Sequence, residues 1–189
     1  MTLPRPYIIL LNGVGSVGKS SIAKALQERV SSPLMHVQMD AFLEMLPESI
    51  QEHSTTFTYS QIIRDGDYEV VIGAGSVGKQ LLHGMRRAVR AMAEAGLNLV
   101  VDDVLMGGDD PGFEEYRSLL SPFSFRTVGV LATLETLEYR EINRGDRLRG
   151  LARWQFPRVH AGATYDLTVH SDNLSPREIA DKIVRVFDL

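Results

Sequence analysis

Cysteine is absent from the 189 residues. Its absence excludes disulfides, thiolate zinc sites and a cysteine nucleophile, and it suits a reducing compartment. A basic surplus is missing too: 20 Lys and Arg stand against 24 Asp and Glu, a net charge of −4. Nothing in that balance is built to follow a nucleic-acid backbone or an anionic membrane. Long hydrophobic runs are also lacking. The run Tyr7-Ile8-Ile9-Leu10-Leu11 stops at Asn12, too short for a signal-peptide core or a span, so the expectation is a cytoplasmic protein. His36, His53, His83, His160 and His170 show no metal-ligand spacing. With no linker or low-complexity stretch and 44% hydrophobic residues, residues 1–189 read as one domain with a substantial core.

What is present is an alternation of apolar runs and amphipathic stretches, the pattern of an α/β fold with a mostly parallel sheet. Strands are expected at Tyr7 to Asn12, Leu34 to Met39, Leu97 to Asp102, Phe125 to Ala132 and Tyr165 to Val169. Helices are expected at Gly18 to Val30, Ala41 to Leu46, Gly78 to Ala95, after Pro111, Leu134 to Asn143 and Leu148 to Phe156. A last helix opens on Ser175-Pro176-Arg177-Glu178, a capping box with proline at its first position. Residues 50–77 read as an irregular insertion holding a small hairpin, with its turn at Asp65-Gly66.

Directly after the first apolar run comes Gly13-Val14-Gly15-Ser16-Val17-Gly18-Lys19-Ser20, a complete G-x-x-x-x-G-K-[ST] phosphate loop in its strand–loop–helix setting. The glycines let backbone N–H groups turn inward on an anion, and the following helix points its positive end at the phosphates. Lys19 can reach the β- and γ-phosphates, and the Ser20 hydroxyl can ligate Mg²⁺. A nucleoside triphosphate is the expected ligand, on Gly13 through Ser20 and the adjoining Ser21.

Gly75-Ser76-Val77-Gly78-Lys79 repeats Gly15-Ser16-Val17-Gly18-Lys19 letter for letter. Here Gln80 replaces the metal-binding hydroxyl, and the preceding strand belongs to the hairpin. The second copy therefore reads as a loop-to-helix connection without a ligand. Both copies fit G-x-G-x-x-G, yet Asp40 lies further out than a dinucleotide fold places its ribose acid, and Lys-Ser has no role there.

Asn98-Leu99-Val100-Val101-Asp102 has the form of a buried strand ending in a metal-binding carboxylate; strand alternation sends Asp103 to the opposite face. Asp40 ends the neighbouring strand at the same edge, where a carboxylate can take a proton from an acceptor hydroxyl or can simply cap the next helix. Arg140, Arg144 and Arg147 share one face of a helix if it continues through Gly145. They read as a lid over about 134–156 that neutralises a migrating phosphoryl, or as a solvated face paired with Glu138 and Glu141. Lys79, Arg86, Arg87 and Arg90 read as a solvated basic stripe. Trp154 and Phe156 read as anchors for the segment after the lid.

Taken together, Ile8 through Ser20, the Asp40 strand end, Val100 to Gly108, Arg140-Glu141 with Arg144-Gly145-Asp146-Arg147, and Val159-His160 with Tyr165-Asp166 resemble the chloramphenicol phosphotransferase family of P-loop kinases. The resemblance implies a three-layer α/β/α fold with a parallel five-stranded sheet and a small lid. It implies ATP-dependent phosphorylation of a primary hydroxyl on the antibiotic, with Asp40 as base and Arg144 and Arg147 on phosphate. Residues 50–80, which by that resemblance would help form the acceptor pocket, do not follow the family closely. The expectation is a small-molecule O-phosphotransferase using MgATP. Asp40, Lys19, Arg144 and Arg147 carry the chemistry, Arg140 joins the nucleotide site, and Ser20 and Asp102 hold the metal. Its partner is a hydroxylated small molecule rather than nucleic acid or membrane. A kinase of another metabolite, such as a nucleoside or polyol, and a regulatory NTPase acting on a protein are the rivals; oligomeric state is open.

Overall fold

The structure, a computed structural model, describes residues 5–108, 110–145 and 148–189. In chain order the elements are β1 (Tyr7–Asn12), α1 (Lys19–Gln27), β2 (Leu34–Gln38), α2 (Met39–Leu43), α3 (Glu48–Gln51), β3 (Phe57–Arg64), β4 (Asp67–Ala74), α4 (Ser76–Glu94), β5 (Asn98–Asp103), α5 (Gly112–Leu120), β6 (Ser124–Leu131), α6 (Leu134–Arg144), α7 (Leu151–Val159), β7 (Leu167–His170) and α8 (Pro176–Phe187). Five strands form one parallel sheet in the order β2-β5-β1-β6-β7, and β3 and β4 pair separately as an antiparallel hairpin.

A strand covered on both faces must be apolar on both, which is why β1 reads as an unbroken run. Ile9 and Leu11 face α1 and α8 through Ile22, Leu26, Ile179 and Ile183. Ile8 and Leu10 face α4 and α5 through Met85, Val89, Tyr116 and Leu120. All four β1 side chains are fully buried. Truncating one to alanine would cost about 2–5 kcal/mol, a large share of a domain's whole stability. The expected three-layer α/β architecture is therefore present. Among the described residues no helix is long and apolar enough to cross a membrane.

The hairpin pairs Phe57 with Ala74 through to Arg64 with Asp67, around a turn in which Asp65 and Gly66 both have positive φ. It occupies most of the stretch expected to be irregular. Helix α8 starts on the expected capping box: the Ser175 side chain accepts from the Glu178 N–H, and Glu178 reaches back to the Ser175 N–H at 2.8 Å.

One open condition is settled and two expectations need correction. The arginine helix does not continue through Gly145: α6 closes at Arg144 because Gly145 adopts φ 70, a left-handed cap. The chain then re-enters a helix at Leu151, held by the Glu141 carboxylate, which accepts from Gly150 N at 2.8 Å and Ala152 N at 2.7 Å. Arg86 is not on a solvated face. It is buried, with its guanidinium 2.7 Å from Glu115, and it neutralises charge behind β5. Phe156 is no anchor, being 40% exposed, while Trp154 is half-buried with the Arg158 guanidinium over its ring.

Candidate active site

The carboxyl ends of β1, β2 and β5 lie side by side, so the loops that leave them meet at one edge of the sheet. Asn12, the last residue of β1, is fully buried and fixes that edge. Its Nδ2 donates to Leu105 O, Val159 O and Tyr165 Oη, and its Oδ1 accepts from Leu105 N at 2.7 Å. One amide thus ties β1 to the segment after β5, to the end of α7 and to the approach to β7. Tyr165 Oη also lies 2.8 Å from His160 Nδ1, and Asp166 accepts from Thr127 N and Oγ1. The Val159-His160 and Tyr165-Asp166 stretches are the struts of this edge.

Between β1 and α1 the loop is plugged into the core by Val14 and Val17, both nearly fully buried, and it turns through positive φ at Ser16 and Gly18. Helix α1 begins at Lys19, and among the described residues no side chain caps its first amides, which leaves them for an anion. Lys19, 7% exposed, donates to Gly13 O at 2.9 Å and Val14 O at 3.3 Å, and its Nζ lies 3.8 Å from Asp102 Oδ1. The Ser20 hydroxyl donates to Asp102 Oδ2 at 2.6 Å. His36 Nε2 stands 3.6 Å from the same oxygen. Burial alone would push the Asp102 carboxyl up, but His36, Lys19 and Ser20 outweigh it and hold the group below the usual carboxylate range. A charged carboxylate beside a serine hydroxyl suits Mg²⁺, which takes few protein oxygens and keeps its remaining positions for water and phosphate.

Asp103 points to the opposite face, as alternation requires. Tyr116 Oη donates to it at 3.0 Å, and burial raises its carboxyl against the pull of Arg86, the Val104 N–H and Tyr116. It belongs to the packing of α4 and α5, not to the cleft.

Asp40 sits in the first turn of α2, immediately beyond β2. It lines a cleft of about 180 Å³ together with Gly15, Lys19, Ser20, Asp102 and Arg144. A wider cleft of about 360 Å³ adjoins it, sharing Asp40 and Arg144 and walled by Leu43, Phe57, Tyr59 and Leu151. On the other side of the loop a third cleft, about 490 Å³, is bounded by Ser16, Gly18, Ser21, Arg140, Ser171 and Pro176. Arg140 donates there to Ser171 Oγ at 2.9 Å and Ser171 O at 2.7 Å, and to Val17 O at 3.3 Å. The structure thus brings Lys19, Ser20, Ser21, Asp102, Asp40 and Arg144 to one cleft and places Arg140 on its far flank, which Ser21 and Arg144 also border. Arg147 lies outside the described residues.

One contributor escaped the sequence reading. Gln155 of α7 accepts a hydrogen bond from Gly15 N at 2.7 Å. Its only signal in the sequence is a polar residue four positions after Leu151 and four before Val159, on the buried face of the helix. The hairpin falls in the stretch expected near the acceptor: Tyr59 and Ile72 line the first cleft, and the hairpin is fastened to the arginine-bearing segment. Val70 N donates to Gly150 O at 3.0 Å, Gln61 Nε2 to Arg149 O at 2.9 Å, and Arg153 pairs with Asp67 at 3.0 Å.

This chain has relatives among known proteins. Two Mycobacterium tuberculosis proteins, from strains H37Rv and CDC 1551, bear the name of an O-phosphotransferase. Each is 28% identical over 186 residues, covering 96% of this chain and 82% of theirs. Among solved structures, the M. tuberculosis APS kinase in complex with AMPPNP and APS superposes with a TM-score of 0.66 at 14% identity, covering 98% of this chain and 99% of that one. A gluconokinase from Sinorhizobium meliloti 1021 gives 0.64 at 16% identity, covering 97% and 92%. The tunicamycin resistance protein of Deinococcus radiodurans gives 0.60 at 17%, covering 96% and 95%. These likenesses are likenesses of fold. The family described as chloramphenicol phosphotransferase-like protein matches residues 6–188, and this chain, built on a fold shared with small-molecule kinases, belongs to it.

Proposed function

We propose that this kinase transfers the terminal phosphoryl group of MgATP to a hydroxyl of a small molecule, and that chloramphenicol or a related antibiotic alcohol is the acceptor. The observation that carries the reading is the 2.6 Å bond from Ser20 to a charged, buried Asp102, with the Lys19 ammonium in the same cradle and Asp40 across the same cleft. The backbone from Gly13 to Ser21 would hold the triphosphate. Ser20 and Asp102 would hold Mg²⁺, which when bound offsets negative charge on the phosphate oxygens. Lys19 and Arg144, with Arg147, would steady the group in flight, and Arg140 would shape the nucleoside side. Asp40 would accept the proton of the acceptor hydroxyl as its oxygen attacks. The wider cleft, joined to the first through Asp40 and Arg144, supports a bound acceptor over a regulatory NTPase acting on a protein. An ATP-dependent reaction suits the cytoplasm.

The test is mass spectrometry of candidate alcohols incubated with the protein and MgATP. The expected outcome is one added phosphate on chloramphenicol. Product only from nucleosides or polyols would move the reading to a metabolite kinase, and ATP cleaved with no alcohol ever modified would overturn it. Asp40→Asn should keep ATP affinity in calorimetry while turnover falls by roughly 10²–10⁴-fold.

A further inference from the structure

Among the buried residues of α7, Leu151, Ala152, Gln155 and Val159, only Gln155 is polar, and it is 5% exposed. Its partner fixes its orientation. The Gly15 N–H can only donate, so the atom facing it at 2.7 Å is the amide oxygen, and the NH₂ group points the other way. Among the described residues nothing accepts from that NH₂ group, and the side chain lines the cleft that holds Lys19, Ser20, Asp40 and Arg144. The position along the loop matters as well. Gly15 and Gln155 border the cleft of Asp40, whereas neither borders the cleft of Arg140 and Ser171 on the other flank. Gln155 therefore stands at the end of the cradle where a phosphoryl group leaves for its acceptor.

We propose that Gln155 donates a hydrogen bond from Nε2 to the migrating phosphoryl group, with Gly15 acting as the peg that holds the amide in that orientation. This rests on the kinase reading above. The donor is neutral, so it adds partial positive charge without another cation to desolvate beside Lys19 and Arg144. It is also already immobilised: a side chain packed on the loop and bonded to it loses little further freedom when the phosphoryl arrives. A Cβ on Gly15 would lie 3.2 Å from the Gln155 oxygen, so the contact is close as well as directional.

The test compares wild type with Gln155→Glu and Gln155→Leu. Three quantities are read: affinity for MgADP alone, affinity for MgADP with aluminium fluoride, which imitates the phosphoryl in flight, and the thermal midpoint. Both variants should bind MgADP close to wild-type strength and lose roughly 10²–10³-fold of the affinity gained from fluoride. Gln155→Glu decides against a purely structural role, because its carboxylate still accepts from Gly15 N–H yet has nothing to donate. Gln155→Leu decides against simple charge repulsion, because it removes the donor and adds no charge. If Gln155→Leu fails to fold, Gln155→Asn replaces it, since a side chain one methylene shorter cannot meet both partners. Wild-type fluoride affinity in Gln155→Glu, or in the neutral variant, overturns the proposal and leaves Gln155 a tie between α7 and the loop. A wild-type protein that binds MgADP without any gain from fluoride overturns it too, while the nucleotide site stands. No binding of adenine nucleotide at all overturns the kinase reading, and this inference with it.

Discussion

The same five letters, Gly-Ser-Val-Gly-Lys, occur at 15–19 and again at 75–79, and the chain folds them in two unrelated ways. The first copy follows a buried parallel strand. Its Ser16 and Gly18 take φ values of 64 and 100, its valine is 1% exposed, and its lysine turns inward on the loop's own carbonyls. The second copy follows a strand of the hairpin. Gly75 is extended at φ −78 and ψ 177, residues from Ser76 onward form the first turn of α4, Val77 is 37% exposed and Lys79 faces solvent. Even the glycines serve different ends. Gly18 is glycine because of its dihedral: an added Cβ there meets nothing within 4 Å. Gly78 is glycine because of its neighbours: an added Cβ would lie 2.4 Å from Thr56 O and 2.9 Å from the Phe57 ring. A pentapeptide does not by itself make a candidate phosphate site; the first copy is one by virtue of the strand before it and the carboxylate beside it.

The widest separation between the copies should appear in turnover. Lys19→Ala is expected to reduce the phosphotransfer rate by roughly 10²–10³-fold, the scale of one lost electrostatic contact to the reacting group. Lys79→Ala should leave the rate at the wild-type level. Equal losses, measured as ADP release with a working acceptor, would erase the distinction. A smaller but cleaner separation lies in stability. Gly78→Ala should destabilise by about 1–3 kcal/mol in urea, because overpacking against the Thr56 carbonyl and the Phe57 ring outweighs the gain of roughly 1 kcal/mol in helix propensity, while nucleotide affinity is kept. Gly18→Ala should cost about 1–2 kcal/mol for its left-handed dihedral and should also lose nucleotide affinity.

The smallest effect concerns what each lysine does to its surroundings. Burial lowers the His160 pKa from 6.5, and the Lys19 charge lowers it further. Lys19→Met should move the His160 ring titration in NMR back toward the ordinary value, and Lys79→Met should leave it in place. The sign for stability follows. A histidine with a depressed folded pKa binds fewer protons folded than unfolded, so its contribution is complete above about pH 6.5 and is lost as pH falls below it. Thermal midpoints between pH 7.5 and 5.5 should therefore decline less steeply in Lys19→Met than in wild type.

The placement of the candidate donor half was legible because its residues follow a fixed backbone program: strand, glycine loop, Lys19-Ser20, and a strand that carries Asp102 near its end. Parallel pairing then brings the two strand ends together by register alone. Asp103 was also readable, since alternation places it on the far face. The remainder depends on contacts between distant segments. Nothing local distinguishes Arg86 from the exposed Arg87 beside it until α5 delivers Glu115, 29 positions later. Gly145 could be tolerated inside a helix or could end it, and the Glu141 carboxylate, by capping the next helix start, settles the matter. Gln155 was hidden for the same reason, its partner being 140 residues away.

The bonds from Val70 to Gly150 and from Gln61 to Arg149 have a mechanical corollary. Because Tyr59 and Ile72 ride on the two strands so fastened, a swing of the α6–α7 segment that leaves those bonds intact must sweep one wall of the reaction chamber along with it. Capturing the molecule to be modified and sealing the nucleotide from water would then be two aspects of a single stroke.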